Sequence, residues 1–168
     1  MSPDGKTVIF SQLKDGQADI WQAHLDAPGG RTEPLIATPF NESDGRLSPD
    51  GRQLAYVSDE TGRYDVYVRG FPLGTDRIRV STGGGSSLAW SADGSQIYFR
   101  SGDDIMAATV SMRGISSPVR VVSLPPGIRM FPAFEVSRDG NRFYFVRPQG
   151  DDQVSVMLNW QAGLPKKE

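Results

Sequence analysis

The sequence predicts an all-β fold, a partial β-propeller of about four antiparallel four-stranded blades whose first and last blades are incomplete. Two observations carry this prediction. A tetrapeptide recurs four times, as SPDG at 2–5 and 48–51, SADG at 91–94 and SRDG at 137–140. An apolar run follows each copy, and the spacings of 46, 43 and 46 residues are typical of propeller blades. Helical repeats of similar period are disfavoured because apolar residues do not recur at helical spacing.

Each tetrapeptide is predicted to form a tight turn between two strands. A type I turn accepts Pro at its second position and Asp at its third, and the Gly that follows adopts the left-handed conformation in a bulge. Pro3 and Pro49 give way to Ala92 and Arg138 in the later copies, which a type I turn tolerates. Structural turn roles are therefore assigned to Asp4, Gly5, Asp50, Gly51, Asp93, Gly94, Asp139 and Gly140. As catalytic acids these aspartates have no partner.

The apolar runs predict the second strand of each blade. Aromatic and β-branched residues dominate them, and they contain no proline. Neighbouring positions are both apolar, as at Phe143 and Tyr144, so we expect these strands to be covered on both faces, as adjacent blades would do. The runs begin at Thr7, Gln53, Gln96 and Arg142.

Further strands complete a repeat of inner, second, third and outer strands. An inner strand precedes each later tetrapeptide, so the chain begins at a second strand, ends after a third strand, and has fourteen strands. Third strands begin at Asp19, Asp65, Asp104 and Gln153, and outer strands at Glu33, Arg77 and Val119. One propeller unit is expected over residues 1–160, with repeats near 2–47, 48–90, 91–136 and 137–160 and a tail at 161–168.

Composition excludes several classes of protein. Hydrophobic residues make up 38% and charged residues 23% of the 168, which is typical of a folded domain. The net charge is −2 and the basic residues are scattered, so no nucleic-acid surface is predicted. The absence of Cys excludes disulfides and thiolate metal sites. No membrane helix or signal peptide is recognisable, so the sequence by itself predicts a cytoplasmic location.

The repeat resembles that of TolB-like propellers, whose blades are similar to WD repeats. The resemblance lies in SPDG followed by LAYVSDETGRYDVYV. Segments from Pro39, Val80 and Val154 also resemble the C-terminal propeller of bacterial serine/threonine protein kinases. That resemblance implies a longer propeller of about six to seven blades, of which this chain is a fragment, preceded by a kinase domain and often a membrane helix. It also implies a location outside the cytoplasmic membrane.

The catalytic motifs of such multidomain proteins are missing from this chain. It has no kinase glycine-rich loop, HRD or DFG, and no G-x-S-x-G nucleophile elbow. His24 is the only histidine, so we interpret it as a strand residue near the rim rather than as part of a metal or catalytic site. The stretch from Gly83 to Ser87 lacks the Lys of a phosphate-binding loop, so we interpret it as a link between an outer and an inner strand.

Two further groups, the acidic pairs and the strand aromatics, can each be interpreted either as part of a binding site or as purely structural residues. Acidic pairs are interpreted as solvated loop residues rather than a calcium site, which needs six or more converging oxygens. These pairs are Asp59 with Glu60, Asp103 with Asp104 and Asp151 with Asp152. Aromatic residues at strand positions are expected to pack between blades, although the last of them is expected to be exposed. They are Trp21, Tyr67, Trp90 and Trp160.

The sequence therefore predicts a non-enzymatic binding or sensor module that docks a protein, peptide or glycan on one propeller face. No catalytic, cofactor-binding or metal-binding residues are predicted. The alternative is an accessory propeller of an enzyme, a serine/threonine kinase or serine peptidase, whose catalytic domain is absent from this chain. A fragment without an independent function is a third interpretation. Open blade edges also predict self-association.

Overall fold

A computed structural model describes residues 1–124, 134–146 and 154–158, with backbone alone for 145–146 and 154–158. All regular secondary structure in these ranges is β-strand, and every strand pairing is antiparallel. The all-β prediction is therefore confirmed. The predicted tail at 161–168, Trp160 and the pair Asp151–Asp152 lie outside the described residues.

The strands form four sheets that follow one another along the chain as blades. Blade 1 consists of β1 (Thr7–Lys14), β2 (Gln17–His24) and β3 (Arg31–Ile36). Blade 2 consists of β4 (Glu42–Leu47), β5 (Gln53–Ser58), β6 (Asp65–Gly70) and β7 (Arg77–Arg79). Blade 3 consists of β8 (Ser86–Trp90), β9 (Gln96–Ser101), β10 (Asp104–Ser111), β11 (Gly114–Ile115) and β12 (Val119–Ser123). Blade 4 consists of β13 (Phe134–Val136), β14 (Arg142–Val146) and β15 (Val154–Leu158).

The described residues contain fifteen strands, one more than the fourteen predicted, because blade 3 contains the extra strand β11. The third strand β10 has eight residues where β6 has six, so its end extends beyond the sheet. The chain then folds back, and Val110 pairs with Ile115 and Ser111 with Gly114. The sequence gives little warning of this hairpin because β11 has only two residues.

The described part of the core consists of three apolar clusters, one between each pair of adjacent blades. Successive residues of the second strands enter different clusters: Leu54 and Tyr56 pack towards blade 1, whereas Ala55 and Val57 pack towards blade 3. Phe143 packs in the third cluster, between blades 3 and 4. Burial on both faces explains the continuous apolar runs, since a strand with one wet face would alternate with polar residues.

Blade 1 departs from this pattern. All residues of β1 are at least partly exposed, because no described residue covers the face of blade 1 that points away from blade 2. Phe10 and Trp21 are cross-strand neighbours on that open face and are only half-buried. Two-sided cover is therefore wrong for β1, and Trp21 is not packed between blades as expected.

Candidate functional site at the loop face

The propeller has two faces with different contents. Because neighbouring strands are antiparallel, connections along the chain alternate between opposite ends of each blade. We call one end the turn face; it carries the S-x-D-G turns and the β2–β3, β6–β7 and β10–β11 connections. The other end is the loop face; it carries the β1–β2, β5–β6 and β9–β10 connections and the starts of β4 and β8.

The S-x-D-G turns are held by the same hydrogen bonds in every copy. In the second copy the Gly51 N–H donates to the Ser48 carbonyl at 2.8 Å, and the Ser48 hydroxyl donates to Asp50 Oδ1 at 2.6 Å. The same hydroxyl accepts from the Gln53 N–H at 3.0 Å, and Asp50 accepts from the Arg52 N–H at 3.1 Å. The Ser is thus as integral to the turn as the Asp, a role that the sequence interpretation missed.

The glycine of each turn has a left-handed backbone. The φ angles are 72°, 69°, 72° and 71° for Gly5, Gly51, Gly94 and Gly140. The four aspartates share one electrostatic consequence: hydrogen bonds, first from the turn serine and then from a backbone N–H, lower the carboxyl pKa of each. These carboxylates serve as turn caps.

Acid is expected to weaken the turns. The Ser91 and Ser95 donors lower the pKa of Asp93 from 3.8 to about 2. Since the folded-state pKa lies below the unfolded one, ionised Asp93 stabilises the folded chain above about pH 4, and this contribution is lost as the pH falls towards 2. We expect the melting temperature to fall over this range, and to fall less in Asp93→Asn. Parallel curves for the two proteins would contradict this role.

A cavity of about 380 Å³ opens on the loop face between the inner strands of blades 2 and 3. It is lined by Ser43, Asp44, Arg46, Val57, Tyr64, Ser86 and Ser87. Tyr64 ends the β5–β6 connection and is 50% exposed, an unusual position for a large aromatic ring. The cavity therefore combines an accessible ring, hydroxyl groups and opposite charges.

Two lining residues have a backbone conformation that is rare outside glycine. Asp44 has φ of 53° and Ser87 has φ of 49°. Each lies at a bulge in an inner strand, four residues before the serine of the next turn, so the two positions correspond in successive blades. Such conformations cost about 1–3 kcal/mol each and cluster at ligand sites. Among the described residues, two of the three non-glycine residues with this conformation therefore line the cavity, and the third, Asp15, lies in the β1–β2 turn.

The charges of the cavity also link the blades. Oδ2 of Asp44 accepts from the Leu88 N–H at 2.9 Å, which joins the inner strand of blade 2 to that of blade 3. Burial is the main cause that raises the pKa of Asp44, opposed by that hydrogen bond and by Arg46. The Arg46 guanidinium lies 3.4 Å from Asp44 and 3.4 Å from Glu135 of blade 4. Two carboxylates therefore share one cation beside the cavity.

Within the described ranges, the candidate residues that the sequence singled out lie in different blades and do not form one site. His24 lies on β2, where its Nε2 is 2.9 Å from Glu33 Oε1. Residues 83–85 link β7 to β8 as interpreted, whereas Ser86 and Ser87 already belong to β8 and line the cavity. Tyr67 is buried between blades 1 and 2. Trp90 packs against the cluster between blades 2 and 3 and donates to the Arg46 carbonyl at 3.0 Å.

Two members of the acidic pairs, Asp59 and Asp104, accept hydrogen bonds that hold the structure together. Asp59 is not merely solvated, since its two carboxylate oxygens accept from the backbone and side-chain amides of Asn41 at 2.8 and 2.7 Å. Asp104 is the first residue of β10 rather than a loop residue, and it accepts from Ser123 at 2.6 Å. Within the described ranges, no group of three or more His, Cys, Asp or Glu is arranged to hold a metal ion.

Asp65 is a further residue whose role the sequence did not reveal. It begins β6, is fully buried, and accepts from Ser81 at 2.5 Å and from Thr61 at 2.7 Å. Burial is the largest single influence and acts to raise its pKa, but the side-chain hydrogen bonds from Ser81 and Thr61 and the charge of Arg63 together outweigh burial and lower the pKa. The sequence showed that an aspartate, Asp65 or Asp104, recurs near the start of the third strand. It did not show that each aspartate accepts a hydrogen bond from a serine at or just beyond the end of the outer strand.

No protein-family model matches the chain. Its fold is similar to that of TolB from Acinetobacter baumannii, with a TM-score of 0.70 and 21% identity over 95% of this chain and 39% of that one. A putative TolB from Agrobacterium tumefaciens is similar with a TM-score of 0.70 and 21% identity, over 95% of this chain and 60% of that one. A periplasmic gluconolactonase from Pseudomonas aeruginosa is similar with a TM-score of 0.62 and 16% identity, over 94% of this chain and 55% of that one. The chain thus has a TolB-like β-propeller fold and spans only 39–60% of the length of these proteins. In the part that the structure describes, no helix is long and apolar enough to cross a membrane.

Proposed function

We propose that this chain is a non-enzymatic propeller module that binds a polypeptide segment of a partner protein at the loop-face cavity. The observation that carries the proposal is the cavity itself, where exposed Tyr64 and the salt-bridged Arg46 lie beside two strained inner-strand residues. Tyr and Arg are enriched among residues that dominate binding energy at protein interfaces.

The chemistry of the cavity fits a peptide better than a compact anion. Asp44 and Glu135 outnumber Arg46, so a free anion would meet a net negative surface. A peptide offers N–H donors to the carboxylates, carbonyl acceptors to the hydroxyls of Ser43 and Ser86, and an apolar side chain to the Tyr64 ring. The rigid, bulged inner strands keep these groups in place before binding, which reduces the ordering cost.

Peptide selection on the immobilised chain tests this function. Phage-displayed peptides should be enriched, and Tyr64→Ala or Arg46→Ala should weaken a selected peptide at least about tenfold, or about 1.4 kcal/mol. The Arg46 change keeps the carbonyl that binds Trp90. Leu73→Ala is the matched control, because Leu73 is 87% exposed on the turn face.

Two results would contradict the proposed function. One is binding that survives both loop-face substitutions but is lost in Leu73→Ala. The other is turnover of ATP, peptide esters or oligouronides by the purified chain, since it would make the module an enzyme. A kinase-linked context and a location outside the cytoplasmic membrane remain proposals that rest on the resemblance of the segments from Pro39, Val80 and Val154. An enzyme-accessory role rests on the same resemblance.

Self-association is proposed through the open face of blade 1. Phe10 and Trp21 lie there side by side, and no described residue covers them. We expect light scattering after size exclusion to give a mass above that of the monomer at micromolar concentration, and Trp21→Lys to reduce it. Ile78→Lys, a change at an outer-strand residue that is 49% exposed, is the control. A wild-type protein that stays monomeric would refute this contact.

A further inference from the structure

Adjacent turns of the turn face touch through a proline and a glycine. A Cβ on Gly51 would lie 2.8 Å from Cδ of Pro3, so the proline ring of the first turn packs tightly against the second turn. A Cβ on Gly94 would lie 3.4 Å from Cδ of Pro49, so the second and third turns are in ordinary contact. The proline at the second turn position therefore fills the space between neighbouring blades.

This contact is missing between the third and fourth turns. Ala92 occupies the proline position of the third turn, and a Cβ on Gly140 would meet nothing within 4 Å. A cavity of about 510 Å³ lies between these two turns, within the range of about 300–1,000 Å³ typical of ligand sites. Arg138, the residue at the proline position of the fourth turn, lines the same cavity. Both departures from the repeat thus meet at one place.

The lining groups are of two complementary kinds. Asp93 and Asp139 are ionised at neutral pH and act only as acceptors. Oδ1 of each already accepts the hydrogen bonds of its turn, so a ligand would use the lone pairs that the turn leaves over. The Arg138 guanidinium acts only as a donor, and it has no partner among the described residues. Gln96 also lines the cavity, and because the Tyr98 hydroxyl donates to its Oε1, the remaining hydrogen-bonding capacity of this amide lies mainly in its Nε2 donors.

We propose that this cavity binds a saccharide. It lies on the opposite face from the proposed peptide site and is independent of that site. A sugar hydroxyl both donates and accepts, so neighbouring hydroxyls can satisfy a carboxylate and a guanidinium at the same time. The two carboxylates disfavour an anion, and the guanidinium disfavours a metal ion. The exchange of proline for Ala92 and Arg138 gives up turn rigidity, because proline restricts the unfolded chain at these positions.

Amide NMR spectra of the full chain with defined probes test this site. The probes are maltose, cellobiose and chitobiose, with triglycine as a peptide probe. At least one disaccharide should shift the amide signals of Ser95, Gln96 and Gly140 at millimolar concentration. If triglycine shifts them and no disaccharide does, the cavity is a peptide site and the proposal is wrong. If none of the probes shifts them, it is also wrong.

Variants drawn from the repeat itself complete the test. Ala92→Pro restores the residue of the first two turns, so the fold should persist while the cavity is filled and saccharide binding is abolished. Arg138→Ala should weaken binding at least about tenfold, or about 1.4 kcal/mol. Pro49→Ala, the same exchange one turn earlier, should leave binding unchanged. Saccharide binding that persists in Ala92→Pro would overturn the proposed site. Loss of peptide binding in Tyr64→Ala concerns the loop face and leaves the saccharide proposal intact.

Discussion

Replacing Asp65 with alanine is expected to lower the free energy of unfolding by about 3 kcal/mol, as measured by chemical denaturation. The side chain is fully buried, and its removal leaves the buried Ser81 hydroxyl without its acceptor. The exposed Thr61 hydroxyl keeps the Arg63 carbonyl as a second acceptor, so Ser81 carries most of the cost. Each buried donor left unsatisfied costs about 1–3 kcal/mol.

Asp104→Ala is the matched control for this substitution. Asp104 occupies the same strand position in blade 3 and accepts from Ser123, but its side chain is 33% exposed, so water can replace the lost partner. We expect a loss of about 1 kcal/mol there. Equal losses at the two positions would show that burial of the Asp65 network does not stabilise blade 2.

Replacing Gly51 with valine is expected to cost about 4 kcal/mol of unfolding free energy, as the sum of two effects. A β-branched residue at φ of 69° is strained, and its Cβ would lie 2.8 Å from Cδ of Pro3 in the neighbouring turn. Strain and overpacking each cost about 1–3 kcal/mol.

Gly5→Val separates these two effects. Gly5 has nearly the same φ of 72°, but a Cβ there would meet nothing within 4 Å, so only the strain remains. We expect about 1–3 kcal/mol for this variant. If both variants unfold at the same denaturant concentration, the packing of proline against glycine between adjacent turns contributes nothing.

The sequence predicted blades 2 and 3 well because their second strands are covered on both sides. The bounds of β5, β6 and β9 coincide with runs visible in the sequence as continuous apolar segments that begin just after a turn or at an aspartate. The turns were equally visible, since Asp and Gly are needed at fixed positions for hydrogen bonding and a left-handed backbone.

The candidate site was not predictable in the same way. The left-handed conformations fall on Asp44 and Ser87, not on glycines, so no residue type announced them. The cavity forms where two inner strands that begin 44 residues apart in sequence meet, and its Asp44–Leu88 bond is a contact between blades. Trp21 was misjudged because the repeat pattern of blade 1 does not reveal that no described residue covers one of its faces.

Hydrogen exchange with a selected peptide bound tests the central claim most directly. The claim is that the loop face of this propeller binds a polypeptide segment at the cavity between blades 2 and 3. Binding should slow amide exchange at residues 43–46, 62–64 and 86–88, and leave the turns at 48–51 and 91–94 unchanged. Slower exchange confined to those turns, with none around Asp44, Tyr64 and Ser87, would contradict the claim.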